Sequence, residues 1–84
     1  MGRQKNCNKY TKHHRLPKAV GGSRSKRNIM DIFDHIHRAW HTLFGEMTPS
    51  KILHRIVSHW FDIEPTAEMI DMFDLIEREV RRNQ

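Results

Sequence analysis

Two kinds of hydrophobic pattern divide this chain into short N-terminal segments and a longer helical part. Residues 28–33 alternate polar and apolar side chains, which is typical of a strand with one buried face. Residues 10–16 form another candidate strand, ended by Pro17, because proline cannot donate to a strand ladder. Residues 17–27 contain proline, Gly-Gly, two serines and four basic residues, so we predict a loop between the two strands.

Three helices are predicted downstream, spanning about residues 34–45, 48–61 and 65–82. Asp34 is the predicted N-cap of the first helix, and Thr48 followed by proline marks the start of the second. Apolar residues at helical spacing give each helix one predicted buried face. These faces consist of Ile36, Ala39, Trp40 and Leu43; of Ile52, Leu53, Ile56, Val57 and Trp60; and of Met69, Ile70, Phe73, Ile76 and Val80.

The elements together predict an α+β fold that is mostly helical. A short β-hairpin with a helix across it is followed by a two-helix C-terminal hairpin. We expect a single domain at 10–84, divided into a hairpin–helix unit at 10–45 and a helical scaffold at 48–84, after a disordered basic arm at 1–9. Phe44 and Phe61 are expected to join the core. A chain of 84 residues builds only a thin core, and small domains often add a metal or a partner.

Charge is distributed unevenly along the chain. Residues 1–28 carry nine basic residues and no acid, whereas residues 29–84 carry six basic and ten acidic residues. A basic front on an acidic body favours a polyanionic partner, most often nucleic acid, although a solvated basic tail has the same composition. The single cysteine, Cys7, excludes an internal disulfide and a CxxC zinc ribbon. Neither a membrane span nor a secretory signal is recognisable, so we expect an intracellular, cytoplasmic protein.

Seven histidines are the most unusual feature of the composition, and five of them lie between residues 13 and 41. His37 and His41 are four residues apart on the first predicted helix, so both imidazoles lie on one face and can share an ion. His13 and His14 end the first strand and point to opposite faces, so one can bind an ion while the other does different work. A metal-bound water beside phosphate-binding cations is a common arrangement for phosphodiester hydrolysis.

The run HHRLPKAVGG, followed by Asn28, His37 and His41, resembles the HNH, or His-Me finger, nucleases. His14 and Asn28 are fourteen residues apart, Asn28 and His37 nine, and His37 and His41 four, and all three spacings fit that family. The order of strand, loop, strand and helix fits the family's ββα-metal finger as well. The resemblance covers residues 13–45, and RAWHTLFGEMTPSKI is similar to the continuation in small HNH proteins, many of them from phages and bacteria.

The resemblance implies a role for each matching residue. His14 matches the general base, and Asn28 matches the residue whose carbonyl oxygen orients that base. His13, His37 and His41 match the ligands of one divalent metal ion, which in this chain is Mg, Mn, Zn or Ni. Many relatives have aspartate in place of His13 and carry CxxC zinc knuckles, which this chain lacks. Separately, charge and position predict phosphate contacts from five residues: Arg15, Lys18, Arg24, Lys26 and Arg27.

Three functions stay open at this point. The first is a metal-dependent HNH endonuclease that hydrolyses DNA with low sequence specificity, with RNA as the alternative substrate. The second is a non-catalytic nucleic-acid-binding module or assembly component that keeps the finger, with its acidic helical half facing a protein partner. The third is a domain whose three histidines hold a purely structural ion, since metal binding can supply folding energy to a small domain.

Overall fold

The computed structural model describes residues 9–84, so the arm predicted at 1–9 lies outside the described residues except for Lys9. Strands β1 (Tyr10–His14) and β2 (Ile29–Phe33) form an antiparallel hairpin in which Tyr10 pairs with Phe33 and His14 with Ile29. Helix α1 (Asp34–Phe44) follows β2 directly and packs across both strands. The predicted α+β, mostly helical architecture is thereby confirmed.

The loop between the strands is ordered by backbone contacts. β1 ends at His14, two residues before the predicted end, because Leu16 leaves the ladder and becomes fully buried. A 3₁₀ turn at Lys18–Val20 follows, and Gly21 closes it with φ 104°, a left-handed conformation that glycine adopts without a Cβ penalty. The loop therefore contributes a core residue and is not merely a flexible connection.

The start of α1 differs from the prediction. Phe33 occupies the N-cap position without a side-chain hydrogen bond, and Asp34 is the first helical residue. The Asp34 carboxylate pairs with Arg38 one turn later, so it is engaged on the helix surface and does not cap the backbone. α1 ends at Gly45, which has φ 57°.

The C-terminal part is a helical hairpin. Helix α2 (Pro49–Arg55) continues into a π-helical segment at Ile56–Trp60, and α3 (Ala67–Arg82) runs back along it. Thr48 is the N-cap of α2, as predicted, although its side chain makes no capping hydrogen bond. The Thr66 hydroxyl accepts a hydrogen bond from the Met69 backbone N–H at 3.1 Å and caps α3.

The core is small, and it differs in part from the predicted faces. Its buried hydrophobic residues within 9–84 are Leu16, Phe44, Ile52 and Phe73. Trp60 and Phe61, both predicted to be buried, are 56% and 65% exposed. The reason is local: the Phe61 N–H bonds to the Ile56 carbonyl at 3.1 Å, and this wider turn rotates the end of the helix away from the α-helical stripe. Several other members of the predicted faces are also exposed, namely Ile36, Ala39, Leu43, Ile70 and Ile76.

Hydrogen bonds from α3 and the chain end connect the two halves of the molecule. Arg81 donates to the Val20 carbonyl at 2.9 Å, and the Ser23 backbone N–H donates to the Gln84 side chain at 2.6 Å. These contacts hold the loop between β1 and β2 against the end of α3. Among residues 9–84, none of the helices combines the length and the apolar character that crossing a membrane requires.

Candidate active site

Three histidines from two elements converge beside the hairpin. β1 supplies His13, and α1 supplies His37 and His41 from successive turns of one face. One ring nitrogen of each residue lies within 4.8 Å of the others. The ring centroids are 5.3 Å apart for His13 and His37, and 4.8 Å apart for His37 and His41. The residues that the resemblance implies as metal ligands are therefore neighbours in space.

The spacing of the nitrogen atoms is close to that of a metal site. The Nε2 atoms of His37 and His41 are 3.1 Å apart. In a tetrahedral zinc site, Zn–N bonds of about 2.0–2.1 Å place two ligand nitrogens roughly 3.3 Å apart. The other ring nitrogen of His37, Nδ1, lies 2.8 Å from the Thr11 hydroxyl oxygen, so Nε2 is the nitrogen that faces His41. Thr11 thus holds one imidazole in the orientation that metal ligation needs.

His13 is the buried member of the cluster, at 8% exposure. Its Nδ1 is buried and has no hydrogen-bond partner among the described residues, and its ring meets the Trp40 ring edge-on at 5.6 Å. Burial, followed by the positive potential of His37 and His41, lowers the pKa of His13 to about 4. Burial and His41 also lower the pKa of His37. Metals bind the neutral form of imidazole. A buried ring nitrogen without a hydrogen-bond partner has a lone pair that can ligate a metal, so these residues fit a divalent ion.

His14 lies at the same cleft as the three clustered histidines. The cleft has a volume of about 170 Å³, and its walls also include Lys12 and Lys18. Because successive strand residues point to opposite faces, His14 is half-buried on the side away from His13 and Thr11. His14 is thus a wall residue of the cleft and lies outside the ligand cluster.

Asn28 is buried beside the loop that joins the two strands. It is 1% exposed, and no hydrogen bond joins it to His14 within residues 9–84. Its carbonyl oxygen accepts from the Leu16 N–H at 2.8 Å, while its amide donates to the carbonyls of Leu16 at 3.1 Å and Ser23 at 2.8 Å. The Asn28 side chain thus fastens the loop that follows β1, and the orientation of His14 by an Asn28 carbonyl oxygen stays a prediction.

The predicted phosphate-binding residues are dispersed. Lys18 is exposed at the histidine cleft, whereas Arg15 and Arg27 line a separate depression beside Asn28, where the Arg15 Nε donates to the Arg27 carbonyl at 3.1 Å. Arg24 and Lys26 are exposed in the loop between the strands. The structure brings one of the five predicted cations to the cleft, where Lys12 is an additional neighbour that the sequence analysis did not select.

Thr11 and Trp40 are site residues whose role the sequence analysis missed. A signal for Thr11 existed, because it lies two residues before His13 and therefore on the same face of β1. Trp40 was assigned to the core from its helical spacing, yet its ring also forms a wall of the cleft. Both contacts depend on how α1 crosses the hairpin, which the linear pattern does not specify.

No protein-family model, curated protein or solved structure matches this chain. Its resemblance to the HNH nucleases therefore rests on the residue types and spacings of the sequence and stays a prediction.

Proposed function

We propose that this chain is a metal-dependent endonuclease of the His-Me finger type that hydrolyses phosphodiester bonds in DNA. The convergence of His13, His37 and His41 at a cleft that also contains His14 supports this proposal most directly. Such a cleft holds the ligand set, a candidate base and a cation within one small volume. Composition and charge alone do not provide this combination.

In this proposal, His13, His37 and His41 hold one divalent ion. When bound, the ion supplies Lewis-acid stabilisation of the scissile phosphate and of the leaving 3′-oxygen. Three neutral imidazoles favour Zn or Ni, whereas the resemblance to nucleases includes Mg and Mn. The hydroxyl of Thr11, 2.8 Å from His37, keeps that ring oriented, and the Trp40 ring packs against His13.

His14 is the proposed general base, which accepts a proton from the attacking water. An imidazole suits this work at neutral pH, provided that the ring is within hydrogen-bond reach of that water. Lys18, exposed at the cleft, holds phosphate oxygens there, whereas the Lys12 ammonium is paired with Asp31. Arg15, Arg24, Lys26 and Arg27 extend the basic surface, where contacts to phosphate position the strand but do not read its sequence. Low sequence specificity follows from this arrangement.

A plasmid-nicking assay tests the proposal. Supercoiled plasmid is incubated with the protein and Mg, Mn, Ni or Zn, with EDTA as the metal-free control. We expect metal-dependent nicking that His14→Ala reduces by roughly a hundredfold or more, the typical size of a general-base contribution. His59→Ala is the matched control, because His59 is exposed at the end of the π-helical segment. No nicking with any of the four metals, or undiminished nicking by His14→Ala, contradicts the proposal.

A second candidate is a nucleic-acid-binding module that keeps this finger without turnover. The observation that favours it is the engagement of the Asn28 side chain with Leu16 and Ser23, because no hydrogen bond among residues 9–84 joins Asn28 to His14. In that case the parent protein and His14→Ala give the same salt-sensitive gel shift, and neither nicks the plasmid. The acidic helical half is then the surface for a protein partner.

A further inference from the structure

The outward face of the hairpin carries an aromatic stack. Tyr10 and Phe33 are direct cross-strand partners, and their rings stack at 4.7 Å between centroids with an interplanar angle of 23°. His35 stacks on Phe33 in turn, at 5.8 Å and also at 23°. Tyr10 is nevertheless 61% exposed, so much of its ring surface is available to a ligand. We call these three residues the aromatic platform.

Tyr10 of the platform lies on the same face of β1 as the proposed base, His14. Thr11 and His13 face α1, so the alternation of strand side chains places Tyr10, Lys12 and His14 together on the opposite face of β1. At about 3.4 Å per residue, Tyr10 lies roughly 14 Å along the strand from His14. A strand of a few nucleotides spans that distance. Lys12 lies between them and also lines the cleft.

The electrostatic surroundings of the platform are compatible with a nucleic-acid strand. Asp31 is the cross-strand neighbour of Lys12, and their side chains pair at 2.7 Å. Asp34, beside Phe33, pairs with Arg38. Asp31 and Asp34 are thus each paired with a cation, which reduces their repulsion of phosphates. Stacking of unpaired bases on exposed aromatic rings is a common way in which proteins hold a single strand.

We propose that the aromatic platform binds an unpaired nucleobase of the substrate strand, with the Tyr10 ring as the stacking surface. This inference rests on the proposed nuclease function and names its substrate class: single-stranded DNA, or DNA that is locally unpaired near the cut. Bases within a duplex stack on one another and do not offer a free face to Tyr10. The cleft and the platform therefore select an unpaired strand by its shape.

Binding of a short single-stranded oligonucleotide in EDTA tests the inference without requiring cleavage. The probe carries 2-aminopurine, whose fluorescence falls on stacking, at successive positions, and a duplex of the same sequence serves as comparison. Tyr10→Val keeps a strand-forming residue but removes the ring, and Tyr10→Trp keeps a ring. Phe61→Val is the matched control, because it removes an exposed aromatic residue from the helical half.

We expect the parent protein to bind the single strand more tightly than the duplex and to quench 2-aminopurine at particular positions. Tyr10→Val should lose roughly 5- to 150-fold in single-strand affinity, the range for one base–aromatic stack, while Tyr10→Trp and Phe61→Val bind like the parent. Circular dichroism establishes that each variant is folded. Undiminished binding by folded Tyr10→Val, or an equal loss on duplex and single strand, overturns the inference.

The plasmid assay separates this inference from the proposed function. If quenching depends on Tyr10 and the parent protein does not nick the plasmid, the platform inference stands and the nuclease proposal is rejected. If nicking depends on His14 and single-strand binding is unchanged in Tyr10→Val, the nuclease proposal stands and the platform inference is rejected.

Discussion

Asn28 provides the sharpest test of how this fold is held together. Its side chain is 1% exposed and makes three hydrogen bonds to the backbone of Leu16 and Ser23, across the loop that joins the two strands. Replacing it with alanine removes both the acceptor and the donor. The Leu16 N–H and C=O, which are buried in these contacts, then lose their partners within the protein.

The size of the effect follows from that loss. A buried polar group left without a partner costs about 1–3 kcal/mol, and Asn28→Ala leaves two such groups at Leu16 and a partly buried one at Ser23. We expect the free energy of unfolding to fall by roughly 2–6 kcal/mol. A chain of this length has a total stability of roughly 4–13 kcal/mol. Loss of this one side chain therefore removes a large fraction of the stability.

Urea unfolding, followed by tryptophan fluorescence in EDTA, measures the change. With a slope of about 1 kcal/mol per molar urea for a small domain, the midpoint should fall by roughly 2 M or more, or Asn28→Ala should be unfolded without urea. Asn83→Ala is the matched control, because Asn83 is exposed at the end of α3. A midpoint that stays within a few tenths molar of the parent refutes the structural role derived for Asn28.

Substitutions of Asn28 also distinguish the two roles considered for this residue, fastening the loop and orienting His14. If Asn28 fastens the loop, Asn28→Asp is also destabilised, because a carboxylate oxygen replaces the amide donor that faces the carbonyls of Leu16 and Ser23. If Asn28 orients His14 instead, its replacement changes the pH profile of nicking while the urea midpoint stays near that of the parent. The two measurements together assign the residue.

Three further predictions concern the metal cluster, the helical hairpin and the loop. Zn or Ni at a hundredfold excess over its Kd should stabilise the parent by about 2.7 kcal/mol in thermal unfolding, an effect that His37→Ala abolishes and exposed His54→Ala preserves. Burial raises the pKa of Glu77, but hydrogen bonds from Ser50 and Arg81 outweigh it and lower the pKa below its ordinary 4.5. Glu77 therefore stabilises the fold above pH 4.5, and this contribution is lost as the pH falls through the lowered pKa. Glu77→Gln should make the free energy of unfolding fall less steeply on acidification, and an unchanged slope contradicts the prediction. Gly22→Ala should unfold the loop or the domain, because its Cβ would lie 1.7 Å from the Leu16 carbonyl oxygen; parent-like thermal unfolding would disprove this close approach.

Local patterns in the sequence were sufficient to predict the order of the elements. Alternation and helical spacing predicted two strands and three helices, because side-chain periodicity is a property of neighbouring residues. The four-residue spacing of His37 and His41 likewise predicts that both imidazoles lie on one helix face. These features require no knowledge of how distant segments meet.

Contacts between distant segments were decided by the tertiary structure. Periodicity indicated that His13 and His14 point to opposite faces of a strand, but only the packing of α1 on the hairpin shows that His13 is the one beside His37 and His41. Asn28 has the spacing of a catalytic neighbour, yet the path of the loop carries its side chain to Leu16. Trp60 fits an apolar stripe whose register a π-helical turn shifts. Such outcomes depend on chain reversal, helix crossing and backbone hydrogen bonding between residues far apart, which a linear pattern does not encode.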